Sequence, residues 1–379
     1  MGFLGSTLGY VLPFLIVLTV LVFIHELGHY WIARRCGVRV EMFSIGFGPE
    51  LFGFFDKAGT RWKFSALPLG GFVKMFGDQD VASKPASEEE VAHMSAEERK
   101  VSFVHKTLAQ RAAIVVAGPA ANFIFAIVAL AILFATVGQA FTPPVLGEVV
   151  ADGAAAAAGL QAGDRVVSVA GQGVDRFEDL SQAVRLRPDA TFPLTVLRDG
   201  KQIEVLVTPK ATELTDNFGN KHRVGQLGVR SGQAEIVQHD PATAVWRATL
   251  ETASMVRNTG VALGQMLAGT RGTEELGGPL RIAQMSKDFW RTGVVGFVTF
   301  MAVLSINLGL INLFPVPMLD GGHLMIYGIE ALRGRPLGER ALNFSFRVGL
   351  ALVVMLGVFA LWNDLVNLKA VEYVRNLIS

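Results

Sequence analysis

The residues best placed to do chemistry lie near the start of the chain, in Phe23-Ile-His-Glu-Leu-Gly-His29. The pattern H-E-x-x-H puts His25 and His29 one helical turn apart, so both imidazoles leave the same face and can share a metal ion. Glu26 stands on the next facet, where its carboxylate reaches a water beside that metal without being a ligand. Two histidines for zinc and one glutamate as general base is the division of labour that metal-assisted peptide hydrolysis needs. Gly2 to Ile24 carries no charge, so the motif lies at bilayer depth. There an ionisable group costs roughly 2.5–3.5 kcal/mol on insertion scales and marks function by default. The bland alternative is two histidines that merely find hydrogen-bond partners, and the apolar surroundings weaken it.

A catalytic zinc normally has three protein ligands and one open position. The single cysteine, Cys36, excludes a Cys-rich site and an intrachain disulfide. The third ligand must then be another histidine or a carboxylate. Asp320 stands out in Asn312-Leu-Phe-Pro-Val-Pro-Met-Leu-Asp-Gly-Gly322. Pro315 and Pro317 break a helix and free the backbone to present the carboxylate, and Gly321-Gly322 permit close backbone approach. Asp320 is the favoured ligand. An interfacial helix cap at Asp320, with His323 as the ligand instead, stays open.

These residues need elements to hold them. The 379 residues are 51% hydrophobic and 18% charged, with a mean hydropathy of +0.41, against about 25% charged in soluble proteins. A net charge of +1 and the lack of a basic stripe with interleaved aromatics argue against nucleic acid as a partner. The sequence predicts an α-helical polytopic membrane protein with four transmembrane helices, at 1–36, 111–138, 291–319 and 344–368. The first lacks a basic leader and a cleavage site, and cleavage would discard His25, so it reads as an uncleaved anchor.

Lysines and arginines near the spans set the orientation. Arg34, Arg35, Arg39, Lys100, Lys106 and Arg111 flank the 37–110 loop, and Arg333, Arg335, Arg340 and Arg347 fill 320–347. Both loops are expected in the cytoplasm, with the termini and 138–290 outside. His25 is then roughly 25 Å of helical rise from the outer end of its span, in the cytoplasmic half of the bilayer.

Within 37–110, residues 37–76 alternate apolar and polar positions with glycine punctuation, the pattern of strands and turns. Their many phenylalanines suit either a β segment dipping into the membrane from the cytoplasmic side or a small hairpin on its surface. An exposed edge there could take an extended substrate as an added strand. Residues 83–100 read as a solvated connector, with Ser95 and Glu98 forming a capping box. In the second span, Gly118-Pro119-Ala-Ala-Asn122 reads chiefly as helix-packing glue, with a catalytic role for Asn122 the weaker alternative. Residues 143–230 form a separate extracytoplasmic α+β domain, with strands at 146–150, 163–169, 194–198 and 201–207, a helix at 177–186 and an Asp199-Gly200 hairpin turn. Residues 231–290 read as an amphipathic helical linker on the outer surface.

H-E-L-G-H in span one, G-P-x-x-N-F in span two and N-x-x-P-x-P-x-L-D-G-G-H at span three resemble the site-2 protease family of intramembrane zinc metalloproteases. Ala158-Gly-Leu-x-x-Gly-Asp-x-Val within 143–230 resembles a PDZ domain of bacterial proteases. Together with Pro68-Leu-Gly-Gly-Phe-Val-Lys-Met75 they are most similar to the bacterial regulator-of-sigma-E type, over nearly the whole chain. The resemblance implies Zn2+ held by His25, His29 and Asp320, Glu26 as base, and Asn312, with Asn307, near the substrate. It implies a membrane re-entrant β region that holds unwound substrate, and a PDZ domain that binds an extended peptide or chain end. Substrates would be single-span transmembrane proteins, either trimmed anti-sigma factors or remnant signal peptides, cut in the bacterial inner membrane. Some members carry two PDZ domains, and this chain has room for one. Two other classes stay open: a PDZ-bearing adaptor with a vestigial site, and a metal transporter with midplane ligands. Neither needs a base beside the ligands.

Overall fold

A computed structural model describes residues 2–77, 93–215, 221–233, 235–269 and 277–367. The chain divides into a helical unit, built from Met1–Ile132, Thr243–Gly264 and Leu276–Asp364, and a β-containing unit centred on Leu133–Ala242. Four helices are long and apolar enough to cross a membrane: Gly9–Arg35, Leu108–Thr136, Val294–Asn312 and Arg340–Val366.

Helix α1 (Gly2–Arg35) is uncharged through Ile24, then carries His25, Glu26 and His29, and ends in Arg34 and Arg35, whose charges suit the negative end of the helix dipole. Strands β1 (Val40–Phe55) and β2 (Arg61–Met75) follow. Residues 42–45 pair with 71–74 on one side and with 61–64 on the other, while 52–55 also pair with 61–64. Each strand is thus folded back on itself, and the sheet has 71–75 along one margin. Where the alternation suggests several short strands, two long bent ones form. Gly46 and Gly48 lie at φ 88° and 86°, a conformation closed to most residues, so the chain bends there without breaking the sheet. Val40 and Phe43 are fully buried, whereas Leu51, Phe52 and Phe55 are exposed.

The connector expected over 83–100 lies outside the described residues up to position 92. Beyond it the Ser95–Glu98 capping box opens the short helix α2 (Ala96–Val101) as its spacing predicts. Helix α3 (Leu108–Thr136) is the most buried of the four long apolar helices. Half of its apolar window is buried. A side chain at Gly28 of α1 would strike the Ala117 carbonyl of α3, so small residues bring the two backbones together.

In the β-containing unit, β3 (Gln139–Phe141) and β4 (Leu146–Val149) lead to a one-turn helix α4 (Ala154–Ala157), then β5 (Arg165–Val169) and β6 (Gln172–Gly173). Helix α5 (Phe177–Arg185) buries Leu180 and Val184, one turn apart. Strands β7 (Phe192–Arg198) and β8 (Lys201–Val207) form the predicted hairpin, with Asp199 and Gly200 at φ 50° and 77°. The sheet order is β6-β5-β7-β8. Phe192, Leu194 and Val196 alternate into a core shared with Leu146, Val166 and Leu180. A second hairpin joins β9 (Lys210–Thr215) to β10 (Lys221–Gln226). Strand β11 (Val229–Ser231) returns to pair with β4, and β12 (Glu235–Val237) pairs with β3. The unit therefore runs past both ends of the expected 143–230, because these pairings close its two chain ends together.

Helix α6 (Pro241–Leu267) and helix α7 (Pro279–Arg291) occupy the expected linker. Helix α7 packs into the bundle: Ile282, Met285 and Phe289 meet Val17 and Leu21 of α1 and Phe297 and Phe300 of the next helix. That helix, α8 (Val294–Asn312), is shorter than the 291–319 predicted from uncharged length alone. Pro315 and Pro317 stop it, and 313–319 form turns. A new helix α9 (Asp320–Arg333) begins at Asp320, where a carboxylate favours the positive helix end. The expected 320–343 loop is thus mostly helix, and α10 (Glu339–Asn367) follows.

Candidate metal centre

Helix α1 delivers His25 and His29, each 9% exposed, with their Nε2 atoms 3.2 Å apart. The turn after α8 delivers Asp320, whose Oδ2 lies 3.2 Å from His25 Nε2 and Oδ1 3.5 Å from His29 Nε2. One ligand atom from each residue lies within 4.8 Å of the other two, the only such grouping of three His, Cys, Asp or Glu residues among the described residues. The aspartate reaches them because its helix starts tightly. Side chains at Gly321 and Gly322 would collide with the carbonyls of Leu313 and Val316, and Met318 is held at φ 80°, a strained conformation for a non-glycine residue.

These three groups fit a divalent cation. Asp320 Oδ2 is buried without a hydrogen-bond partner although it lies 3.2 Å from His25 Nε2, an arrangement that a cation between the two atoms would satisfy. Imidazole and carboxylate are also the donor set zinc accepts in tetrahedral sites with an open position.

Helix α3 supplies the backing. His29 Nδ1 donates to the Ile114 carbonyl at 2.9 Å, which leaves its Nε2 lone pair facing Asp320. Asn122, fully buried, has its side-chain amide 3.1 Å from His25 Nδ1. Between them, a side chain at Gly118 would strike both imidazoles. Positions 114, 118 and 122 repeat every four residues, so one face of α3 meets the His25–His29 face of α1. Sequence reasoning read Gly118 and Asn122 chiefly as packing residues. The available signal was the four-residue spacing they share with the two histidines, on a polar group inside an apolar span.

His25, Glu26, His29 and Asp320 line a cavity of about 170 Å3 together with Gly71, Phe72 and Val73 of β2. Glu26 accepts a hydrogen bond from the Val73 backbone, so the general-base candidate faces the margin of the sheet. Asn312 also lines the cavity. Asn307 does not, and its Oδ1 accepts from Thr259 of α6 at 3.3 Å. His323 reaches the cavity but lies outside the three-residue cluster, beside the rings of Tyr327 and Phe346.

The sheet is tied to α1 beside the histidines. Asp56 accepts from Tyr30 Oη at 2.7 Å, Trp62 Nε1 at 3.1 Å and the backbone of Ala58 and Thr60. Burial alone would raise the Asp56 pKa, but these four hydrogen bonds outweigh it and hold the carboxyl at about 2.

The sequence profile of peptidase family M50 matches residues 13–356. The chain belongs to peptidase family M50. This M50 peptidase is similar to a provisionally named zinc metalloprotease of Agrobacterium fabrum, 46% identical over 96% of this chain and 97% of the relative. A provisionally named zinc metalloprotease of Rhizobium meliloti is 44% identical over 96% of this chain and 99% of its own length. The metalloprotease MmpA of Caulobacter vibrioides is 36% identical over 96% and 97%. A PDZ domain of an SdrC-like protein from Listeria monocytogenes covers 24% of this chain and 90% of its own at 16% identity, with a TM-score of 0.19, a likeness that carries no argument. Family and cluster agree: the M50 peptidase is a zinc metalloprotease whose two histidines lie on an apolar helix, with Asp320 beyond the end of a second, at Asn312.

Proposed function

We propose that this M50 peptidase is an intramembrane endopeptidase that cuts transmembrane segments of single-span proteins. The observation that carries the reading is Glu26 on the wall of a cavity where His25, His29 and Asp320 converge, 170 Å3 in volume and margined by Gly71, Phe72 and Val73. His25, His29 and Asp320 are the residues that hold zinc. Bound zinc would polarise a peptide carbonyl and make a water acidic enough to attack near neutral pH. Glu26 takes the proton of the attacking water and returns it to the leaving amine. A helical peptide hides its carbonyls, so substrate must unwind, and the 71–75 margin of the sheet offers a row beside which an extended chain can lie. Asn312 bonds the substrate backbone, a role its position on the cavity wall supports, and Asn307 would have to exchange its Thr259 partner to join it.

The lysine and arginine bias supports a bacterial inner-membrane protein with the active site in the cytoplasmic half and residues 143–230 in the periplasm. That domain acts as a PDZ module, supported by its Ala158-Gly-Leu-x-x-Gly-Asp motif and strand–helix–hairpin order. It captures chain ends or excludes untrimmed proteins by bulk. The motif set supports the regulator-of-sigma-E type and, with it, anti-sigma factors or remnant signal peptides as substrates.

The test is Glu26→Gln in full-length protein with a reporter transmembrane helix. Cleavage should fall by at least about 100-fold, the usual share of a general base, while zinc content is unchanged. Cleavage retained by a zinc-loaded Glu26→Gln protein would sink the mechanism.

A further inference from the structure

Given zinc at His25, His29 and Asp320, which is itself the proposed function, we infer that the Asn122 side chain fixes the tautomer of His25 by accepting its Nδ1–H through Oδ1. The two histidines present Nε2 to each other and to Asp320. A neutral imidazole that offers Nε2 as a lone pair must carry its proton on Nδ1 and needs an acceptor there. His29 has one in the Ile114 carbonyl at 2.9 Å. At His25 Nδ1 the structure sets the Asn122 amide with its nitrogen, Nδ2, at 3.1 Å, and exchanging the two amide ends puts Oδ1 there instead.

Which end of an amide points inward is set by its hydrogen bonds, because oxygen and nitrogen occupy nearly the same space. With Nδ2 toward His25, the amide would donate to Nδ1 and force the imidazole proton onto Nε2, straight at Asp320 and His29. That tautomer excludes a cation. With Oδ1 inward, His25 donates to the amide and its Nε2 is free. Asn122 is rigid enough for the task. It is fully buried, and its backbone carbonyl accepts from Ser305 Oγ of α8 at 2.9 Å. Helix α3 thus orients both imidazoles, one through a backbone carbonyl and one through a side chain eight residues on. Such partners tune ligand basicity and geometry, and their loss weakens metal binding by about 10–100-fold.

Acceptor-only and apolar replacements separate this role from packing. Zinc affinity of full-length protein in detergent is measured by chelator competition, with thermal melting as the fold control. Asn122→Leu should bind zinc about 10–100-fold more weakly, and Asn122→Asp, which accepts but cannot donate, should match or exceed the parent. In cobalt-loaded protein, the two Nδ1–H protons should give separate exchangeable shifted signals, with that of His25 lost in Asn122→Leu and that of His29 kept. Equal affinity in Asn122→Leu, or equal losses in Asn122→Leu and Asn122→Asp, would overturn the inference. A parent protein that binds no zinc would instead overturn the metal reading.

Discussion

Zinc content should separate Asp320 from His323, two residues three positions apart that the sequence offers as rival ligands. Asp320 meets both Nε2 atoms, whereas His323 packs beside Tyr327 and Phe346. Asp320→Ala should leave purified protein with little bound zinc, and His323→Ala should keep a full equivalent by elemental analysis. Zinc lost equally from both would return His323 to the ligand set. Gly118 gives a second expectation. Even one added methyl meets the His25 and His29 rings, so Gly118→Ala should weaken zinc by about tenfold or more, on the scale of losing an orienting partner. Unchanged affinity would mean that α3 can yield there. The H-E-x-x-H residues are legible in the sequence because a helix fixes their relation locally. Gly118 and Asn122 are not, because their role exists only once a distant helix face is laid on α1.

At the level of elements, the sheet that margins the cavity depends on a few side chains outside it. Asp56 gathers Tyr30 of α1, Trp62 of β2 and its own turn into one cluster. Asp56→Ala would leave the Tyr30 hydroxyl and Trp62 N–H short of an acceptor, at about 1–3 kcal/mol for each one left buried. Amide hydrogen exchange in β1 and β2 should rise while that of α1 stays slow. The same carboxyl sets a pH dependence. Its folded pKa of about 2 lies below the usual unfolded value near 3.9, so its contribution is complete above about pH 4 and is lost as pH falls toward 2. Protease nicking of the 56–60 turn should rise across that window, and Asp56→Asn should remove the Asp56 part of the change. The strand pattern of 37–76 was legible from alternation, but not the folding back of each strand, which needs Gly46 and Gly48 in left-handed conformations. The end of α8 was misplaced because uncharged length says nothing about backbone. The two prolines that stop it were visible, and their effect was to start a new helix at Asp320.

For the whole molecule, the proposed orientation, with the site in the cytoplasmic half and the β-containing unit outside, follows from charge bias, and that bias makes a prediction that chemistry can read. Cys36 is the single cysteine, so a Cys36→Ser background is silent to maleimides and accepts one reporter at a time. Gln172, at the β5–β6 turn, and Lys57, at the β1–β2 turn, are both exposed, so neither reporter is hidden by packing. If Arg34, Arg35 and Arg39 hold the 37–110 segment inside as proposed, a membrane-impermeant maleimide should label Gln172→Cys in intact spheroplasts and Lys57→Cys only after lysis. The opposite pattern would place the β-containing unit in the cytoplasm, where it could not screen substrates trimmed outside. Labelling of both in intact spheroplasts would overturn the proposed topology. On the proposed topology, the arginines beside α1 set which face of the bilayer delivers substrate to His25, His29 and Asp320.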